Sequence, residues 1–326
     1  MRRVIAFFAI GLVLLAALNW LARLPGGDAR EREMRARLTA ISGHEAVSLG
    51  ASTANGFDLS PLCLDALQYH LTQDVFEMAA VVDFTLSRPK PPRLWFAILA
   101  PTIQSFDNGS PGAGWPGQRE ASYRALYSDG YRGLIGGDWR HALTANLMPA
   151  MGDEAWRPHM RWLLGALGYG VDRGTPNDVV MRMTVDPRRA EALGDEFARS
   201  RAAVLRRIAY YSPGVPSRAA DALLGMGEKI RRSGGQLVVI VPPMTRAAHQ
   251  AAERHMPGEL RGFQTLLGRL SAAGVAVRDH WRDPRFDGRY DLFHDTQHLN
   301  ARGAALFSHI AAEELRGPLR IQTGCR

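Results

Sequence analysis

Short apolar runs at residues 46–49 (AVSL), 94–99 (LWFAIL), 236–241 (QLVVIV) and 275–278 (VAVR) are set between segments of helical periodicity. Their apolar character is continuous rather than alternating, so each reads as a strand buried on both faces. The intervening segments carry helix signals. Residues 74–86 place Val75, Phe76, Met78, Ala79, Val82 and Leu86 along one helical face. Residues 218–232 end at Ser233-Gly234-Gly235, and residues 258–273 end at Gly274. A last helix is capped by Asn300, runs to Arg316 and is closed by Gly317-Pro318. Strands that alternate with capped helices predict an α/β fold, a parallel sheet flanked by helices in three layers.

The 326 residues, 46% of them hydrophobic, suffice for one elaborated domain, placed at 44–326. Between about 112 and 216 the alternation is lost. That stretch holds Trp115, Trp139, Trp156 and Trp162 and reads as a helical insertion, either a lid or glycan-binding subdomain or an ordinary packed helical layer.

Ahead of the domain, residues 4–22 are apolar except for Asn19, a length that matches a bilayer core. Arg2 and Arg3 precede the run and Trp20 lies near its end, so residues 1–24 are expected to form one transmembrane signal anchor. No small-x-small site closes the run; a cleaved signal peptide is the alternative. Residues 25–43 read as a stalk, with a helix break at Pro25-Gly26-Gly27 and alternating charges that suit a short solvated helix at 28–38. Five arginines, at 23, 30, 32, 35 and 37, follow the span and outnumber those before it, so charge counting does not by itself place the domain outside.

Lysine and arginine exceed aspartate and glutamate by 40 to 32, a net charge of +8 that suits an anionic polymer or lipid. No zinc-finger or RNA-recognition signature accompanies it, which sets nucleic acid last among partners. Cys63 and Cys325 permit one bridge without implying it.

Ser52 follows Val47-Ser48-Leu49-Gly50-Ala51, just beyond the carboxyl end of the first strand, where open α/β sheets put their ligands. A serine hydroxyl needs an imidazole to take its proton, a carboxylate to orient that imidazole and N–H groups to hold an oxyanion. Asp295 and His298 supply the first two. Their three-residue spacing also occurs at Asp138/His141 and Asp291/His294; what distinguishes them is their place directly before the capped C-terminal helix.

Gly50-Ala51-Ser52 with Gly56-Phe57-Asp58-Leu59-Ser60-Pro61, and Asp295-Thr296-Gln297-His298-Leu299-Asn300-Ala301-Arg302-Gly303, resemble the first and last sequence blocks of the SGNH (GDSL-like) hydrolases. The similarity is to their membrane-bound envelope branch, which contains the alginate O-acetyltransferases and the D-alanyl-transfer protein of teichoic acid synthesis. With the strands at 94–99 and 236–241 it covers about half of the chain. The resemblance implies a flavodoxin-like sheet and a serine esterase or O-acyltransferase, with Ser52 as nucleophile, His298 as base and acid, and Asp295 as orienter. It implies an extracytoplasmic domain on the cytoplasmic (inner) membrane, an envelope polysaccharide as substrate and a multi-spanning membrane O-acyltransferase as partner. Neither cofactor nor metal is implied. The chain departs from the pattern at Ala51, where the blocks carry aspartate, near Tyr69 and His70, where a glycine is due, and at residues 100–104, which lack the third block's asparagine. Thr102 or Gln104 is then a candidate side-chain oxyanion donor. The alternative is a non-catalytic domain that binds glycan or scaffolds an acyltransferase complex.

His294 and His298 superficially match a zinc-binding H-E-x-x-H, but the cap at Asn300 leaves both in a loop and no third ligand is evident. Arg246, past the strand at 236–241, is a candidate for holding an anionic substrate or a structural arginine. His70, His249 and His255 read as surface or packing residues.

Overall fold

The computed structural model describes residues 2–23, 29–72, 74–101, 118–146, 160, 164, 167, 177–206 and 218–319. Its elements in chain order are α1 (Arg2–Arg23), α2 (Ala29–Ile41), β1 (Ala46–Leu49), β2 (Ala66–Tyr69), α3 (Val75–Leu86), β3 (Leu94–Ile98), α4 (Gln118–Ser128), α5 (Trp139–Asn146), α6 (Asn177–Val180), α7 (Pro187–Arg206), α8 (Arg218–Arg232), β4 (Gln236–Val241), α9 (Arg246–His255), α10 (Pro257–Ala272), β5 (Ala276–Asp279) and α11 (Ala301–Leu319). The chain divides into two compact units, residues 1–36 with 111–174, and residues 37–110 with 175–326.

The second unit holds a five-stranded sheet, β2-β1-β3-β4-β5, in which every pairing is parallel. The three interior strands are the continuous apolar runs, and all of β1, residues 95–98 of β3 and residues 237–241 of β4 are buried. Alternate residues pack in opposite directions. Phe96, Ile98, Val238 and Ile240 join Phe57, Phe307 and Leu315 in one cluster, while Trp95, Ala97, Leu237 and Val239 between them are equally buried. Two helical layers are therefore needed to cover the sheet. Ring contacts hold one of them: Phe307 of α11 lies 5.9 Å from Phe57 and 6.2 Å from Phe286, centroid to centroid.

The strand β2 carries no apolar run. It is an edge strand whose first three residues are only half-buried, so Gln68 is tolerated in Ala66-Leu67-Gln68-Tyr69 and the sequence signal is lost. The last helix also runs past its expected stop, taking Gly317 and Pro318 into its final turn.

Among the described residues no helix is long and apolar enough to cross a membrane. Side chains of α1 are described for residues 5–20. Among these Ile5, Phe7, Phe8, Ile10, Leu12, Val13, Leu14, Leu18 and Trp20 are all exposed. The charged segment at 28–38 lies in a helix, α2, with one face buried. α2 buries Met34, Leu38 and Ile41, an i, i+4, i+7 stripe that its charged residues conceal in the sequence. Of the tryptophans at 112–216, Trp139 is exposed beneath the Arg140 guanidinium, and Trp115, Trp156 and Trp162 lie outside the described residues. Cys63 is disulfide-bonded; Cys325, the other cysteine of the sequence, is outside the described residues.

The first turn of α11 is built on close approach. A Cβ on Gly303 would meet the Leu292 carbonyl oxygen at 2.1 Å and the Leu299 side chain at 2.8 Å. Gly303→Ala is expected to destabilise the fold by about 1–3 kcal/mol, because a backbone carbonyl cannot swing aside as a flexible side chain can. Chemical denaturation of the variant beside the parent measures this.

Candidate active site

Ser52 opens a 3-10 turn, Ser52–Gly56, directly after β1. Tight packing anchors that turn. A Cβ on Gly50 would lie 2.3 Å from that of Ala54, and one on Gly56 would lie 3.1 Å from Leu299. Farther along, Asp58 N–H donates to Ser308 Oγ at 2.8 Å and Arg316 donates to the Pro61 carbonyl at 2.9 Å. The serine turn is thus clamped to α11, the helix that carries the histidine loop at its start.

That loop is shaped locally. Phe293 and Leu299 form an antiparallel bridge, and His294 N–H donates to the His298 carbonyl at 3.0 Å, closing the hairpin on Asp295, Thr296 and Gln297. Asn300 then caps α11, its Oδ1 accepting from the backbone N–H of Arg302 at 3.1 Å and Gly303 at 3.0 Å. Thr245, past β4, fixes the loop from the side by donating its hydroxyl to the Thr296 carbonyl at 2.8 Å.

Asp295 Oδ1 accepts from the backbone N–H of Gln297 at 2.7 Å and of His298 at 2.8 Å. Its Oδ2 is left facing His298 Nδ1, 2.7 Å away. A carboxylate accepts only, so Nδ1 carries the proton and Nε2 is the basic nitrogen. Nε2 lies 2.9 Å from Ser52 Oγ, across 246 residues of sequence. Partial burial pushes the Asp295 carboxyl up, but the hydrogen bond from His298, the charge of that ring and the two backbone donors outweigh it and hold the pKa at about 2. The carboxylate is ionised at neutral pH and able to stabilise an imidazolium. Ser52 is exposed, so a substrate can reach it.

His294 stacks on His298, with centroids 5.3 Å apart and planes 7° from parallel, and burial lowers its pKa. Nitrogen and carboxylate atoms of His294, Asp295 and His298 lie within 4.8 Å of one another, the one such group among the described residues. Both ring nitrogens of His298 are already committed to Asp295 and Ser52, and no fourth protein ligand joins the group, so it fits a triad better than a zinc site.

The Arg246 side chain is exposed. It pairs with Asp287 through two bonds, Nε to Oδ1 at 2.8 Å and an Nη to Oδ2 at 2.6 Å. Thr102 and Gln104 lie outside the described residues. A cavity of about 1120 Å³ opens beyond β5, lined by Trp281, Arg261, Gln264 and neighbours; none of the triad lines it. Several of its wall charges pair with one another, Arg282 with Glu253 and Arg285 with Asp283 and Glu314.

His70 and His249 are packing residues of a demanding kind. Burial, helped by the Arg37 charge, drives His70 down to about 3, and burial drives His249 down to about 4. Both are neutral when folded and charged at low pH when unfolded. A depressed folded pKa contributes stability fully above the unfolded value of roughly 6.5, lost as pH falls through the folded one. Melting temperature is therefore expected to fall steadily from about pH 6.5 to 4, and His249→Gln is expected to flatten that slope. A pH series of thermal melts checks it.

Compared with protein-family models and with curated proteins, the sequence matches none.

Proposed function

We propose that the chain is a serine-dependent O-acyl transfer or ester-hydrolysing enzyme of the SGNH kind. The observation that supports this best is the continuous chain of hydrogen bonds from Ser52 through His298 to Asp295 at the carboxyl edge of a parallel sheet. In the proposed reaction Ser52 Oγ attacks an acyl carbonyl while its proton passes to His298 Nε2. Collapse of the tetrahedral intermediate breaks the ester bond, and the same nitrogen returns the proton to the departing alkoxide. Water or a sugar hydroxyl then attacks the acyl-serine as His298 takes its proton, and collapse of this second intermediate breaks the bond from Ser52 Oγ to the acyl carbon while His298 Nε2 returns the proton to Oγ.

The acceptor or substrate in this reading is an O-acylated extracytoplasmic polysaccharide, and a multi-spanning O-acyltransferase is its partner for transfer. An extracytoplasmic site agrees with the disulfide at Cys63, since such bonds persist in oxidising compartments. Membrane attachment would account for the exposed apolar side chains of α1.

Hydrolysis of a nitrophenyl acetate, together with a fluorophosphonate adduct mapped by peptide mass spectrometry to Ser52, tests the reading. A folded protein that does neither overturns it.

A further inference from the structure

A second hydrogen-bonded chain lies beside the triad. His70, directly after β2, places Nε2 2.8 Å from Ser48 Oγ and Nδ1 3.2 Å from Asn55 Oδ1. Ser48 is wholly buried in β1, and among the described residues the His70 ring is the one side-chain partner of its hydroxyl. Satisfying every buried donor leaves one arrangement. The Ser48 hydroxyl donates to Nε2, so Nδ1 carries the ring proton and donates to Asn55 Oδ1. The reverse tautomer would strand the Ser48 hydroxyl proton in the core. The amide of Asn55 is therefore held one way round, with its oxygen turned inward to His70 and its NH2 outward.

Asn55 is three residues after Ser52 in the same 3-10 turn. In that helix side chains at i and i+3 eclipse, about 6 Å apart along the axis. Burial agrees: Ser52 and Asn55 are exposed, while Thr53, Ala54 and Gly56 are buried. Among the described residues nothing accepts from Asn55 Nδ2. Asn55 therefore presents an outward N–H donor on the same face of the turn as Ser52.

We propose that Asn55 is the side-chain oxyanion donor of this site and that His70 is its positioning residue. The inference rests on the serine-acyl reading above. As Ser52 Oγ bonds to the acyl carbon, the carbonyl π electrons move onto oxygen, and Asn55 Nδ2–H donates to that oxyanion; no proton is transferred to or from Asn55.

The test is steady-state hydrolysis of nitrophenyl acetate by the full chain. Asn55→Ala is expected to lower kcat about 10²- to 10³-fold with KM within about twofold, as removal of one oxyanion donor does. Asn55→Asp, nearly isosteric but without the donor, is expected to fall at least as far. Both changes are on an exposed residue, and unchanged melting temperatures separate chemistry from folding. His70→Ala is expected to lower kcat in the parent and to add nothing in the Asn55→Ala background, because its effect passes through Asn55. If Asn55→Ala and Asn55→Asp keep kcat within about threefold while the parent acylates Ser52, the proposal is overturned. An equal loss from His70→Ala in both backgrounds overturns the positioning role alone. If the parent neither hydrolyses the ester nor acylates Ser52, the serine reading fails and this inference falls with it.

Discussion

Ser52→Ala is expected to lower kcat for ester hydrolysis on the order of 10⁴- to 10⁶-fold, leaving only the residual rate that binding and oxyanion donors supply, with the fold intact. The size follows from the division of labour. His298 has no hydroxyl to deprotonate without Oγ, and Asp295 then orients a base with no acid. Groups that act as one unit lose nearly everything with any one member, so His298→Ala should fall about as far, and the double variant little farther. The structural cost is small, since Ser52 is exposed and among the described residues its Oγ bonds only to His298. Kinetics, a melting curve and the absence of the fluorophosphonate adduct on the variant make the measurement. Retained hydrolysis in Ser52→Ala would exclude it as nucleophile.

Asp295→Asn is the second large effect, expected to lower kcat by roughly 10⁴-fold with little change in KM. An amide has the carboxylate's shape but not its charge or its two acceptors. With Oδ1 facing the backbone donors of Gln297 and His298, the position facing His298 Nδ1 becomes an NH2. Two donors then meet unless Nδ1 gives up its proton, and the ring must carry it on Nε2, the nitrogen meant to accept from Ser52. The same substitution removes an acid-sensitive contribution to stability. The folded pKa of Asp295 is depressed to about 2, so its contribution is fully present above the ordinary carboxylate value near 4 and disappears as pH falls towards 2. The melting temperatures of parent and variant should run apart above about pH 4 and converge below it. Because the side chain is 39% exposed, solvent screening keeps that gap modest.

Much of the fold was legible in the sequence because it is encoded locally. The runs at 94–98 and 236–241 stand out as interior parallel strands because both of their faces are apolar, and Asp74 and Asn300 mark helix starts with side chains that accept backbone N–H bonds. The strand β2 escaped because Ala66-Leu67-Gln68-Tyr69, its first three residues only half-buried, carries no continuous apolar run. The charge run at 28–38 concealed a buried stripe of Met34, Leu38 and, just past it, Ile41, since three large apolar side chains in the thirteen residues of α2 barely change composition.

The candidate site divides along the same line. Asp295 and His298 stand directly before the capped C-terminal helix, and that place, which the sequence shows, singled them out where their three-residue spacing did not. Their junction with Ser52 spans 246 residues and exists only because α11 packs its Phe307 on Phe57 and its Ser308 on Asp58, drawing the serine turn onto the histidine loop. Arg246 could be placed past β4 from sequence, but only the folded chain delivers Asp287 to it. Ser48, Asn55 and His70 were beyond sequence altogether. Which face of a 3-10 turn meets which ring is set by register between β1 and β2, and parallel register is decided by packing of the whole sheet rather than by any residue in it.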